Sequence, residues 1–263
     1  MVQNLFFWLA SLPIIVSAPL VIGSGVVLSL IGSYVASNLY TEAELQGNNT
    51  VGGPKFTFIG QVYSVTLLFA LVGAWDVYQS ARGAVQREAA ALIALDTSAR
   101  VFSDASQEQT REDIHRTIRQ YGKAVAEKEW RTMSYGLDDP EATHRYNQMV
   151  DLFTSIEPLT ASQVAVQQNA VRWLAEISEH RLLRVGTLSN TLIGLIWALI
   201  LTGALVSIAF TWFFGSANGV AQTAMSAIIA AFIMLHLLVI LKLTHPFVGE
   251  TAIAPYPILQ VTQ

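Results

Sequence analysis

Residues 56–75 read FTFIGQVYSVTLLFALVGAW, twenty positions without an Asp, Glu, Lys or Arg, closed by Asp76. The hydrocarbon core of a bilayer is about 30 Å thick, and about 20 apolar helical residues cross it. This segment is therefore a membrane span. Working outward, residues 185–241 carry no charge over 57 positions. That length holds two spans, near residues 188–214 and 221–241, joined by the small polar turn 215–219. Toward the N-terminus no charge precedes Glu42. Residues 5–35 would make a helix of about 46 Å, long for one span and short for two. Pro13 and Pro19 should break or kink the run. The reading is a short interfacial helix, with Phe6, Phe7 and Trp8 at headgroup depth, then a span near residues 14–34. No basic residue precedes the apolar run, so a cleaved signal peptide is not expected.

The whole-chain numbers agree. Of 263 residues 52% are hydrophobic and 13% charged, and the mean hydropathy is +0.45. Soluble domains carry about 25% charge. A soluble enzyme, a disordered chain and a disulfide scaffold are thereby disfavoured. A net charge of −4 argues against a nucleic-acid partner, which wants a basic face. The absence of cysteine removes thiolate catalysis, cysteine zinc sites and disulfides.

The charges are concentrated in residues 79–184, which hold 13 of the 15 Lys and Arg and 15 of the 19 acids. The fold class expected is an all-α integral membrane protein. Four transmembrane helices carry a helical cytoplasmic domain inserted between spans 2 and 3. The parts are 1–78 (interfacial helix, spans 1 and 2), 79–184 (cytoplasmic domain), 185–245 (spans 3 and 4) and 246–263 (tail). Basic flanks lie on the cytoplasmic side of a membrane. Arg82 and Arg87 follow span 2, and Arg181 and Arg184 precede span 3. Both termini and 79–184 are then cytoplasmic, in a cell inner membrane, and 38–55 is the outer loop.

Within the charged block the periodicity is helical. Span 2 is expected to run on as one rod over residues 57–100. A second helix covers 106–135, with Ser106 and Gln109 resembling a capping box. A turn at Asp138, Asp139 and Pro140 starts a third helix, to about Ile156. A fourth covers 160–184. The expected core is Leu92, Leu95, Ile114, Ile118, Tyr121, Trp130, Leu152, Val171 and Leu174. Glu88 and Glu129 could pair with Arg181 or Arg184 inside the bundle, although helical charges usually face solvent. Gly194/Ala198, Gly203/Ser207 and Ala227, Ala230 and Ala231 are small residues spaced for close helix packing.

No Gly-rich phosphate loop, dinucleotide fingerprint, nucleophile elbow or zinc-protease motif is present. The chain is expected not to be an enzyme and to carry no cofactor or metal. The five histidines (His115, His144, His180, His236 and His245) never fall at i, i+3 or i+4. Asn48-Asn49-Thr50 is a glycosylation sequon, a pattern frequent by chance.

Three membrane features carry function. Asp76, beside Trp75 and Tyr78, is either an interfacial residue or a charge at a pore mouth. Gln61, Val65, Leu68, Val72, Asp76 and Gln79 share one face of span 2, polar at both ends and apolar between. That suits a constriction between two wet vestibules, and it also suits any spanning helix. His236 is the one ionisable group inside span 4, either functional or bonded to a neighbouring helix.

Residues 69–90, with Trp75, Tyr78, Ala81, Val85, Glu88 and Ala89, resemble the core motif of the bestrophin-like domain family of bacterial membrane proteins. Glu129-Trp130, Arg181 and the tail His245-Pro246-Phe247-Val248-Gly249-Glu250 match its other marks. The resemblance runs from about residue 15 to Pro257. Thr244 departs from it, because the family often has an acid before the Pro-Phe pair. If that acid matters for function, this member lacks the activity. The resemblance implies an oligomeric ion channel of four spans per protomer, with span 2 lining the pore. The alternative is a non-catalytic accessory or scaffold subunit of a larger membrane complex. Expected partners are the lipid bilayer, further copies of the chain or other membrane subunits, and inorganic ions.

Overall fold

The computed structural model describes residues 2–133, 135, 137, 139–187 and 194–262. Its helices are α1 (Val2–Ser11), α2 (Ile14–Leu39), α3 (Glu42–Ser98), α4 (Glu108–Lys123), α5 (Trp130–Met133), α6 (Pro140–Ser155), α7 (Ala161–Gly186), α8 (Gly194–Thr211), α9 (Gly219–Leu243) and α10 (Tyr256–Leu259). A π-helical segment, Ala124–Glu129, joins α4 to α5. Among the described residues there is no strand. Four helices are long and apolar enough to cross a membrane: α2, α3, α8 and α9. The first six residues of the third expected span, 188–193, lie outside the described residues, as does Asp138. The chain divides into two compact units, residues 1–76 with 192–245, and residues 77–191 with 246–263.

In the first unit, Pro13 separates α1 from α2, while Pro19 sits within α2 near its start. The expected outer loop at 38–55 is corrected. Only Tyr40 and Thr41 lie between α2 and α3, and α3 is helical from Glu42. Gly47, Gly52, Gly53 and Pro54 favour turns locally, yet the helix starts from a cap at Thr41 and runs through all four. The Glu44 carboxylate accepts the Thr41 N–H at 2.8 Å, and the Thr41 hydroxyl accepts the Glu44 N–H at 3.4 Å, a reciprocal capping box. The expected continuous rod is present, and it is longer than expected: 57 residues, about 86 Å at 1.5 Å per residue. Asn48 and Asn49 tie this first part of α3 to the α8–α9 turn. Asn48 donates to the Phe213 carbonyl, and Asn49 both donates to the Gly215 carbonyl and accepts its N–H.

Close approach of small residues packs the spans. On α2, Ser17, Val21, Gly25, Ser29, Gly32 and Ala36 form one buried stripe. A Cβ at Gly32 would lie 2.0 Å from the Trp212 ring, and one at Gly203 would lie 2.4 Å from the Tyr63 ring. Tyr63 then donates its hydroxyl to the Ile200 carbonyl at 3.0 Å. At the end of α9, the buried Lys242 ammonium donates to the Ala10 and Leu12 carbonyls at 2.9 and 2.6 Å. This satisfies orphan acceptors at the C-terminus of α1, where a cation is also favoured by the helix dipole.

The second unit is a helical bundle. Leu92 and Leu95 of α3, Ile114, Ile118 and Tyr121 of α4, Met149 and Phe153 of α6, and Leu174 and Ile177 of α7 share one core. One expected core position needs correction. Val171 is 57% exposed, because Ala170, Leu174 and Ile177 set the buried face of α7 and Val171 lies about 100° off it. Trp130 and Leu152 are partly buried and pack against the core. The capping box at Ser106 does not form. Gln107 is the N-cap residue, without a side-chain cap bond, and its amide pairs instead with Gln163. The later boundaries match the sequence. Asp139 caps α6, and Thr160 caps α7. Residues 246–262 also belong to this unit. Ile258 is fully buried in its core, and Gly249 turns the chain at φ 75°, a conformation that favours glycine.

Candidate functional site

The first candidate is the span 2 face. Gln61, Val65, Leu68, Val72, Asp76 and Gln79 follow one another on α3 at spacings of three and four, within an arc of about 80° at 100° per residue. All six are exposed: Val65, Leu68 and Val72 are 52, 58 and 49% accessible. The opposite face, with Tyr63, Leu67, Ala70 and Ala74, is buried against the rest of the unit. Packing within one chain therefore leaves the whole stripe facing outward. Among the described residues no ion pair holds Asp76.

His236 is only partly buried. Its Nδ1 lies 2.8 Å from the Phe232 carbonyl of its own helix, and its ring packs against the Phe232 ring at 4.5 Å. Of the two alternatives for His236, the bond to a neighbouring helix is not made among the described residues. Among the described residues no three of His, Asp and Glu converge as a metal-binding set.

The second candidate lies in the second unit, and its charges are buried rather than solvated. Arg184, fully enclosed, donates Nε to Glu88 at 2.8 Å and Nη2 to Glu88 and Glu129 at 3.1 and 2.7 Å. Arg181 donates to the other Glu129 oxygen from both Nε and Nη2, at 3.0 and 2.5 Å. Tyr121 donates its hydroxyl to Glu88 at 2.7 Å. The charges, two of each sign, cancel. Burial disfavours the Arg184 cation, but Glu88 and Glu129 more than offset this and hold its pKa above the ordinary value. Burial, followed by the charge of Glu88, pushes the Tyr121 phenol well up.

Local structure explains the convergence. Glu88 belongs to the buried face of α3, between Val85 and Leu92. The π-helical stretch places Val125 and Glu129 on the inside together. Trp130 follows directly, with its ring 5.0 Å from the Arg184 guanidinium and edge-on to Phe247 at 5.6 Å. Its indole N–H donates to the Ile253 carbonyl at 2.9 Å. Sequence reading named this pairing as an alternative to solvent exposure, and it missed Tyr121 and Met133, whose sulfur lies 2.8 Å from Arg184. With no nucleophile and every charge matched, the cluster fastens α3, α4, the π segment, α7 and the tail.

An all-helical chain with four helices long and apolar enough to cross a membrane defines an α-helical membrane-protein fold. The chain belongs to the Bestrophin-like domain family, whose model matches residues 24–258. Of the motif residues that carry the resemblance, Glu88, Glu129 and Trp130 meet Arg184, Arg181 shares Glu129, and Phe247 packs on Trp130. Among solved structures, two single-substitution variants of a bacterial Bestrophin homolog from Klebsiella pneumoniae are similar. One has a TM-score of 0.71 at 11% identity, covering 92% of this chain and 97% of its own; the other has 0.73 at 12%, covering 92% and 96%. A further membrane protein matches with a TM-score of 0.67 at 12% identity, covering 92% and 98%. No curated protein matches the sequence.

Proposed function

We propose that the protein is an ion channel assembled from several copies of the chain, with the outward stripe of α3 lining the pore. One observation carries this reading: packing within the chain leaves Gln61, Val65, Leu68, Val72, Asp76 and Gln79 uncovered as a single face. A symmetric ring of such faces encloses a path that is polar at its ends and apolar between. Narrow apolar rings gate by dewetting, and an acidic ring attracts cations and repels anions. Val65, Leu68 and Val72 are the constriction, and Asp76 is its inner mouth. In this reading the termini and the soluble unit face the cytoplasm, in a bacterial inner membrane. Arg82 and Arg87, both exposed, support that orientation better than Arg181 and Arg184, which are bound in the ion cluster.

The test is reconstitution in planar bilayers. Val72→Ser is expected to raise conductance, because a hydroxyl holds water at the constriction. Asp76→Asn is expected to lower the cation-to-anion permeability ratio. A wild type and a Val72→Ser variant that are both silent would overturn the channel reading and favour an accessory subunit.

A further inference from the structure

One cleft is lined by none of the span 2 stripe residues and by none of the charged residues of the ion cluster. It has a volume of about 300 Å³ and sits between α3 and the tail, lined by Tyr78, Arg82, Val85 and Gln86 on one side and by Ile253, Pro257 and their neighbours on the other. Tyr78, Arg82 and Gln86 stand at i, i+4 and i+8, so the helix stacks a phenol, a guanidinium and an amide along one line. The facing wall is fixed. The Ile253 carbonyl is held by Trp130, and its N–H donates to the Pro246 carbonyl at 2.8 Å. Arg82 is exposed, and no described residue pairs with it.

We infer that this cleft binds a phosphodiester monoanion, with Arg82 as the anion-binding residue. A guanidinium presents a planar fork that matches two phosphate oxygens, and Gln86 adds an amide donor beside it. Arg82 is the one cation of the lining, and one cation balances one charge. A phosphomonoester carries about −1.5 to −2 at neutral pH and would stay under-compensated. The remaining lining, Val85, Ile253 and Pro257, offers apolar surface to the organic body of an ester, and the volume exceeds what a bare anion fills. Two sources share this chemistry. Counted along α3, Arg82 lies seven residues beyond Trp75, about 10 Å. The headgroup zone extends about 5–7 Å beyond the hydrocarbon on each side, within reach of an arginine side chain. A membrane phospholipid therefore fits, and so does a soluble glycerophosphodiester. The inference does not depend on conduction.

Native mass spectrometry of the full chain in mild detergent tests it, with three probes. These are phosphatidylglycerol, diacylglycerol with the same acyl chains, and glycerophosphoglycerol. Phosphatidylglycerol is expected to bind at least tenfold more tightly than diacylglycerol. Arg82→Gln is expected to abolish that difference, and Arg82→Lys to restore part of it, both with wild-type circular dichroism. Glycerophosphoglycerol binding that also needs Arg82 would identify the soluble ester as a sufficient ligand. Binding of the lipid alone would identify the membrane as the source. Equal binding of diacylglycerol, phosphatidylglycerol binding unchanged in Arg82→Gln, or no binding of either phosphodiester would overturn the inference.

Discussion

Replacing Arg184 by Met removes the centre of the buried ion cluster while keeping an unbranched apolar stem beneath Trp130. Glu88 then loses both of its guanidinium bonds, at 2.8 and 3.1 Å, and keeps only the Tyr121 hydroxyl. Glu129 loses one bond of 2.7 Å but retains Arg181. The cluster passes from neutral to one excess negative charge, with both carboxylates fully buried. Breaking a buried pair by deleting one partner costs about 3–5 kcal/mol, because a charge is left without compensation. At about 2–4 °C per kcal/mol for a chain of comparable size, Tm should fall by roughly 6–20 °C. The assay is thermal unfolding of the purified protein in mild detergent, followed by circular dichroism. Adding Glu88→Gln to Arg184→Met restores neutrality and is expected to recover part of the loss, with a coupling energy of about 1.5 kcal/mol or more. An Arg184→Met protein melting within about 2 °C of wild type would refute the reasoning. So would strictly additive effects of the two substitutions.

Gly203→Val should lose about 2 kcal/mol or more of stability by forcing side-chain atoms into the Tyr63 ring. Gly60→Ala, where a Cβ meets nothing within 4 Å, should not lower Tm. Trp130→Phe keeps an aromatic ring, though a smaller one, and deletes the bond to the Ile253 carbonyl. It should cost about 1 kcal/mol and speed limited proteolysis within residues 246–262. The His245 pKa is lowered by burial, which outweighs the opposing hydrogen bond to the Leu241 carbonyl, and the Lys242 charge adds a lesser lowering. The folded state then binds the proton less readily than the unfolded one. This contribution to stability is complete above about pH 6.5 and is lost as pH falls toward the folded pKa. Unfolding curves between pH 7.5 and 5 should show that slope in wild type, and His245→Asn should flatten it.

The spans were legible because a charge-free run of sufficient length has few alternatives in water. The stretch after span 1 was not, because Gly47, Asn48, Asn49, Gly52, Gly53 and Pro54 all favour turns locally. There the capping of α3 by Thr41 and Glu44, and the bonds of Asn48 and Asn49 to the α8–α9 turn, outweigh local propensity. The Thr-x-x-Glu spacing was nonetheless present in the sequence. The α2 packing stripe also went unread. Its small residues alternate with large apolar ones, and in an apolar run every face looks equally suited to lipid. Only the spacing of Ser17, Gly25, Ser29, Gly32 and Ala36 marks the side that α2 buries.

The ion cluster had a sequence signal stronger than the rule that helical charges face solvent. On α3, Ala81, Val85, Leu92 and Leu95 recur at helical spacing, and Glu88 occupies the position that continues them. On α7, Ala170, Leu174 and Ile177 set the phase, and Arg181 and Arg184 extend it at the next two steps. Two acid-bearing segments and one helix with two arginines thus place opposite charges on faces their neighbours require to be buried. An unpaired carboxylate there would cost several kcal/mol, so burial of the face demands burial of its counter-ion. Trp130 is less buried than its size suggested because it lies at the margin of the cluster. One side of its ring meets Arg184, its edge meets Phe247, and its N–H holds the tail. That position accounts for the tail being part of the fold. Residues 246–262 supply the carbonyl the indole needs and the Phe247 ring against which it packs. Truncation at Pro246 should therefore destabilise the second unit more than Trp130→Phe, and Tm measured on the two purified proteins decides it.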